Sequence, residues 1–142
     1  MQAANLAAEI REGCLRNGES LAFETVLSSA DKLDFIRRAK QAGFFVRLFF
    51  VGTDHPSINA ARIAHRVMEG GHDVPIVKII SRYGKSMTNA AKVATMADRS
   101  YFYDNSVDYA EPKLLFRLTE GKVIKSYQPS HGWAQHILDM AH

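Results

Sequence analysis

Arg62, Arg66, His72, Arg82 and Lys85 are gathered in one stretch, RIAHRVMEGGHDVPIVKIISRYGKS, residues 62–86. Arg62 and Arg66 are four apart, so a helix carries them on one face. Gly70-Gly71 breaks that helix. Asp73 and Pro75 then supply a capping carboxylate and a first-turn proline for the next one. Arg82 and Lys85 lie on the second helix, with His72 at the bend. A helix–turn–helix that aims several cations at one place is a clamp for a polyanion such as a nucleotide triphosphate. The same spacing also describes a solvated basic face.

Glu24 follows the apolar run Leu21-Ala22-Phe23, which reads as a buried strand. Ligands of open α/β sheets sit at the C-terminal ends of strands. A carboxylate there can orient or deprotonate a hydroxyl, or hold a metal-bound water; it can equally be the polar residue that ends a strand. Asp104 and Asn105 close another strand-like run, SYFYDNS, and can touch a base or ribose or simply form a turn. The six histidines show no zinc-like spacing, and with one cysteine, Cys14, no metal site is expected. That single cysteine excludes an internal disulfide and fits a reducing cytoplasm. No Gly-x-Ser-x-Gly nucleophile elbow is present.

The elements that must position these residues alternate. A helix is expected over 3–17, the strand ending in Glu24 next, and a helix over 31–43 stopped by Gly43. FFVRLFFV, 44–51, is the strongest strand. The clamp helices run from about Ser57 to Glu69 and from Pro75 to about Ala97, with Gly84 a place for a bend. A third strand falls at 100–106, a hairpin at 114–127 around Glu120-Gly121, and a short amphipathic helix closes the chain, Trp133 serving packing. Alternation of this kind favours an α/β fold, a parallel sheet covered on both faces by helices.

At 142 residues the chain is read as one domain, 1–142. Hydrophobic residues make up 46% and charged residues 23%, an ordinary globular mix. The net charge of +3 suits an acidic small molecule at least as well as nucleic acid, and no aromatic–basic interleaving is visible along the chain, which disfavours nucleic acid. No apolar run approaches the roughly 18 residues that span a bilayer, and the N-terminus carries no secretory pattern. A cytoplasmic protein that does not enter membranes is expected.

The succession SLAFETVLS from Ser20, RAKQAGFFVRLFFV from Arg38, RIAHRVMEGGHDVP from Arg62, RYGKS from Arg82 and YDNS from Tyr103 resembles the zeta-toxin family of P-loop kinases, in particular its short bacterial ATPase-like branch. The likeness covers roughly residues 3–106. It implies a P-loop-kinase-like domain, ATP and Mg2+ as cofactors, and transfer of the γ-phosphoryl to a small-molecule hydroxyl, a UDP-amino sugar in toxins proper. It also implies an antitoxin partner. By matched position, Glu24 corresponds to the acid that contacts the sugar, with Thr25 beside it. Arg62 or Arg66, with Arg82, corresponds to the cationic lid over the phosphates, and His72 stands where toxins proper carry arginine.

The family opens with a strand and a G-x-x-x-x-G-K-[ST] loop, and this sequence contains no such run. The acid used as catalytic base after the family's second strand is missing too. The chain is therefore expected to lack the first βα unit, to bind or hydrolyse ATP poorly by itself, and to self-associate through sheet edges left open. A non-catalytic remnant or binding module, acting with a partner if at all, is the rival reading.

Overall fold

The computed structural model describes residues 2–129 and 132–141. Within them the order is α1 (Gln2–Asn17), α2 (Ala30–Gln41), β1 (Arg47–Gly52), α3 (Pro56–Met68), α4 (Ile76–Met96), β2 (Arg99–Asp104), β3 (Lys113–Thr119), β4 (Lys122–Ser126) and α5 (Gly132–Ala141). The four strands form one mixed sheet in the order β1-β2-β3-β4. Most of the expected elements are present; the closing helix is described as far as Ala141, so His142 lies outside the described residues.

The expected parallel sheet is corrected to a mixed one, into which the expected C-terminal hairpin is built. Only β1 and β2 are parallel; β2–β3 and β3–β4 are antiparallel. The connections dictate this. Residues 53–98, with α3 and α4, are long enough for a crossover, whereas a two-residue turn joins β3 to β4. Both turn residues, Glu120 (φ 50°) and Gly121 (φ 81°), have positive φ, the backbone that matches strand twist in a tight hairpin.

The strand expected at 20–24 is a second correction. Residues 19–29 have no regular secondary structure. Phe23 finds its cover among the helices instead: its ring meets Phe35 of α2 edge-on at 5.7 Å, and the Arg11 guanidinium lies 5.0 Å above it. The segment is sewn to α4 by side chains. Ser86 Oγ donates to the Val26 carbonyl at 2.7 Å, and Asn89 Nδ2 to that of Leu27 at 2.9 Å. Thus among the described residues β1 pairs only with β2 and is an edge strand.

Helices cover one face of the sheet rather than the expected two. Phe50, Phe102 and Phe116 form an aromatic row across three strands, with ring centroids 5.6 and 4.9 Å apart. Against it pack Ala90, Val93 and Ala94 of α4 and Trp133 and Ile137 of α5. The small alanines let the helix approach the sheet closely. On the other face Phe49 and Val51 remain 60% and 51% exposed.

Gly52 fixes where α5 docks. A Cβ there would lie 2.7 Å from the Trp133 ring, so the indole rests on bare backbone. At the base of the sheet, Asp98 accepts hydrogen bonds from Lys40 Nζ and from the Val46 N–H, both at 2.7 Å. These contacts, Lys40 first, hold its carboxyl below the usual range.

Candidate functional site

The Gly-Gly break turns α3 into α4 through a Schellman closure. Gly70 takes φ 95°; its N–H donates to the Val67 carbonyl at 3.0 Å, and the Gly71 N–H to that of Arg66 at 2.7 Å. Gly70 is needed for the left-handed backbone. Gly71 is needed for space, since a Cβ would sit 2.9 Å from the Arg66 carbonyl oxygen. Asp73 does not cap α4: its Oδ1 accepts from the adjoining Val74 N–H at 2.8 Å, and Pro75 is the N-cap residue. Helix α4 then runs unbroken through Gly84.

This turn brings Arg66, His72 and Arg82 to the wall of one cavity of about 470 Å³. All three are exposed at its rim, while Phe50, Ile79 and Met87 form a buried apolar floor. Four consecutive residues, Phe50 to Thr53, also line it. A sheet face contributes alternate residues, so the cavity meets β1 along its unpaired edge. An anionic head on the arginines with an apolar body on the floor is the ligand shape this suits.

The walls are braced by hydrogen bonds. Tyr83 Oη donates to the Thr53 carbonyl at 2.5 Å, and the buried Thr53 donates through Oγ1 to Asn59 Oδ1 at 2.6 Å. Burial pushes the Tyr83 phenol above its ordinary range, with Asp54 and Asp104 adding to it. His55 caps α3 by accepting from the Ser57 N–H at 3.0 Å.

Other candidates lie elsewhere. Arg62 turns from the cavity and pairs with Asp108 at 3.0 Å. Glu24 and Thr25 are exposed and off the cavity wall, although Val26 lines it; Thr25 Oγ1 accepts from the Leu27 N–H at 3.1 Å. Asp104 accepts from Trp133 Nε1 at 2.8 Å and from Ser106 Oγ at 2.7 Å, and the Asn105 N–H donates to the Gly52 carbonyl at 2.8 Å. Asp104 thus ties α5 to the end of β2, and Asn105 is held to the end of β1 through its backbone. Sequence reading did not find Tyr83, Thr53 and Asn59; Tyr83 beside Arg82 in the RYGKS run was the one signal.

Among the described residues no group of three histidine, cysteine or acidic side chains is placed to hold a metal ion. No helix among them is long and apolar enough to cross a membrane.

The fold and site define an α/β domain with an anion-suited cavity at a sheet edge. The family model described as Zeta toxin matches residues 1–111, and the chain belongs to that family. Membership supports a P-loop-kinase-like domain. An uncharacterized protein of Haemophilus influenzae is 41% identical over 49 residues, which are 34% of this chain and 35% of that protein. The match thus spans about a third of the curated relative's length. No solved structure matches the chain.

Proposed function

We propose that this chain acts in ATP-dependent phosphoryl transfer to a small-molecule hydroxyl, such as that of a UDP-amino sugar, and that its cavity holds the phosphate groups of the nucleotide. One observation carries the reading: Arg66, His72 and Arg82, from two helices and the turn between them, converge on one cavity. Arg66 and Arg82 bind phosphate oxygens and neutralise the charge that develops on them during transfer. His72 offers a further hydrogen-bonding group. Glu24, on the segment whose Val26 lines the cavity, orients the acceptor hydroxyl as that substrate approaches. Magnesium, when bound with ATP, would supply positive charge beside the phosphates; among the described residues no group of three histidine, cysteine or acidic side chains is placed to hold it.

The sequence contains no G-x-x-x-x-G-K-[ST] run, whose successive backbone N–H groups form the seat for a β-phosphate. Two arginines do not replace that nest. We expect this chain alone to bind ATP no better than about millimolar, near −4 kcal/mol. The exposure of Glu24 and this missing motif favour a second reading, a phosphate-binding module that works with a partner such as an antitoxin.

An NMR titration with ATP tests the clamp, because it reads millimolar affinities. Shifts are expected at the amides of residues 66, 72 and 82. Arg66→Ala and Arg82→Ala should each weaken binding about five- to tenfold, the worth of one exposed charge-assisted contact. Unchanged affinity in both variants removes the clamp assignment, and micromolar binding means a phosphate seat exists elsewhere.

A further inference from the structure

Aromatic and basic residues that are scattered in sequence become neighbours once the strands are in register. Successive strand residues point to opposite faces, so the open face carries Arg47 and Phe49 of β1 beside Arg99 and Tyr101 of β2. Arg117 of β3 lies opposite Tyr101, and Lys125 of β4 opposite Arg117. The four strands contain one acid, Asp104, and it is turned to the covered side, toward Trp133.

These cations are not spent on carboxylates. On the helical side Arg38 and Lys40 are paired with Glu12 and Asp98, but among the described residues none of Arg47, Arg99, Arg117 and Lys125 forms an ion pair. Arg47 and Arg99 lie over the exposed ring of Phe45, at 5.0 and 5.6 Å. Arg117 Nε is buried without a hydrogen-bond acceptor. Phe49 stacks on Tyr101 with centroids 4.9 Å apart and planes within 8°. Because β1 is the edge of the sheet, the opposite side of the Phe49 ring faces solvent.

We propose that this face binds single-stranded nucleic acid. A base continues the Tyr101–Phe49 stack past the sheet edge, and the phosphates cross Arg47, Arg99, Arg117 and Lys125. Open sheets that stack bases on strand aromatics, and grooves that add cations along the backbone, bind single strands by this chemistry. A second copy of the chain is the other occupant that an open edge admits. A face whose charges are all positive favours a polyanion over a copy of itself.

Fluorescence anisotropy with labelled uridine and thymidine oligomers of about ten nucleotides tests this, a length suited to one such surface. Binding that falls steeply with added salt is expected. Phe49→Ala should weaken it at least about tenfold and Phe49→Trp should retain it, since stacking needs only a flat ring. Arg47→Ala with Arg99→Ala should weaken it and flatten the salt dependence. Arg82→Ala, in the cavity, should change it less than about twofold. Each of these sites is exposed, and circular dichroism would verify folding of every variant.

Three results would overturn the proposal. One is no binding at low salt. Another is binding lost in Arg82→Ala and kept in Phe49→Ala, which places the oligomer in the cavity and leaves the phosphate clamp standing. The third is a dimer in sedimentation that Phe49→Ala dissolves, with no oligomer bound, which assigns the face to a second copy.

Discussion

Helix α4 is two regions in one element. From Met87 onward it is core: Ala90, Val93 and Ala94 have no exposed surface and rest on the Phe50–Phe102–Phe116 row. In its first two turns Ile79 alone faces inward, at the cavity floor, while Ile76, Val77 and Ile80 stand 66%, 79% and 55% exposed, beside Met68 at 87% across the Gly-Gly turn. The boundary falls at Arg82 and Tyr83, on the cavity wall. A site at such a boundary is held by the buried half and approached past the projecting half. Binding groups mounted this way keep their positions while the tip remains free to meet something else. The exposed apolar tip is itself more than solvent requires.

The sharpest way to break this contrast is to mutate both halves and compare stabilities. Phe102→Ala, facing the buried half of α4, should cost about 3–5 kcal/mol in urea unfolding, the cost of removing a fully enclosed ring. Ile80→Ser at the tip should stay within about 0.5 kcal/mol. A tip substitution as costly as the core one would mean that those residues are packed in solution, and the two-region reading would fail.

The turn itself sharpens the contrast at a smaller scale. Gly71→Ala pushes a Cβ against the Arg66 carbonyl, which belongs to rigid helix backbone, so the turn must open. We expect a loss of about 1–3 kcal/mol, the usual range for overpacking. Because Arg66 and His72 flank the turn, the ATP-induced shifts at the cavity should shrink with it. A stability loss with unchanged ATP shifts would detach the turn from the site.

What could be read from sequence divides along the same line. The α3–Gly-Gly–α4 clamp was legible because helical spacing and chain breakers are local signals. The partner of Arg62 was not, because Asp108 lies far along the chain and nothing near Arg62 announces it. Leu21-Ala22-Phe23 has a strand's composition, yet a strand exists only where a neighbour accepts its hydrogen bonds, and α2 took Phe23 first. The role of Asp104 was hidden in the same way, since it depends on Trp133 reaching Gly52 from the other end of the chain. The basic and aromatic rows of the open face appear only in register, for which no linear pattern stands in.

The smallest effect lies at the boundary of the two regions. Tyr83 Oη donates to the Thr53 carbonyl at 2.5 Å, tying α4 to the exit of β1 where the cavity begins. Tyr83→Phe removes the donor and keeps the ring, so near neutral pH it should cost about 0.5–1.5 kcal/mol. The pH dependence gives a second reading of the same bond. Burial first, and the nearby Asp54 and Asp104 second, favour the neutral phenol in the folded protein and raise its pKa from the ordinary 10.0. The unfolded chain therefore releases this proton at lower pH than the folded one. The contribution is complete below pH about 10 and is lost as pH rises through the unfolded value toward the folded one. Urea midpoints of the two proteins should accordingly converge above pH about 10, where the wild-type loses what the variant never had. A gap that persists or widens with alkali would show that the phenol does more than donate to Thr53, and that the buried half of α4 is not pinned to β1 by this bond.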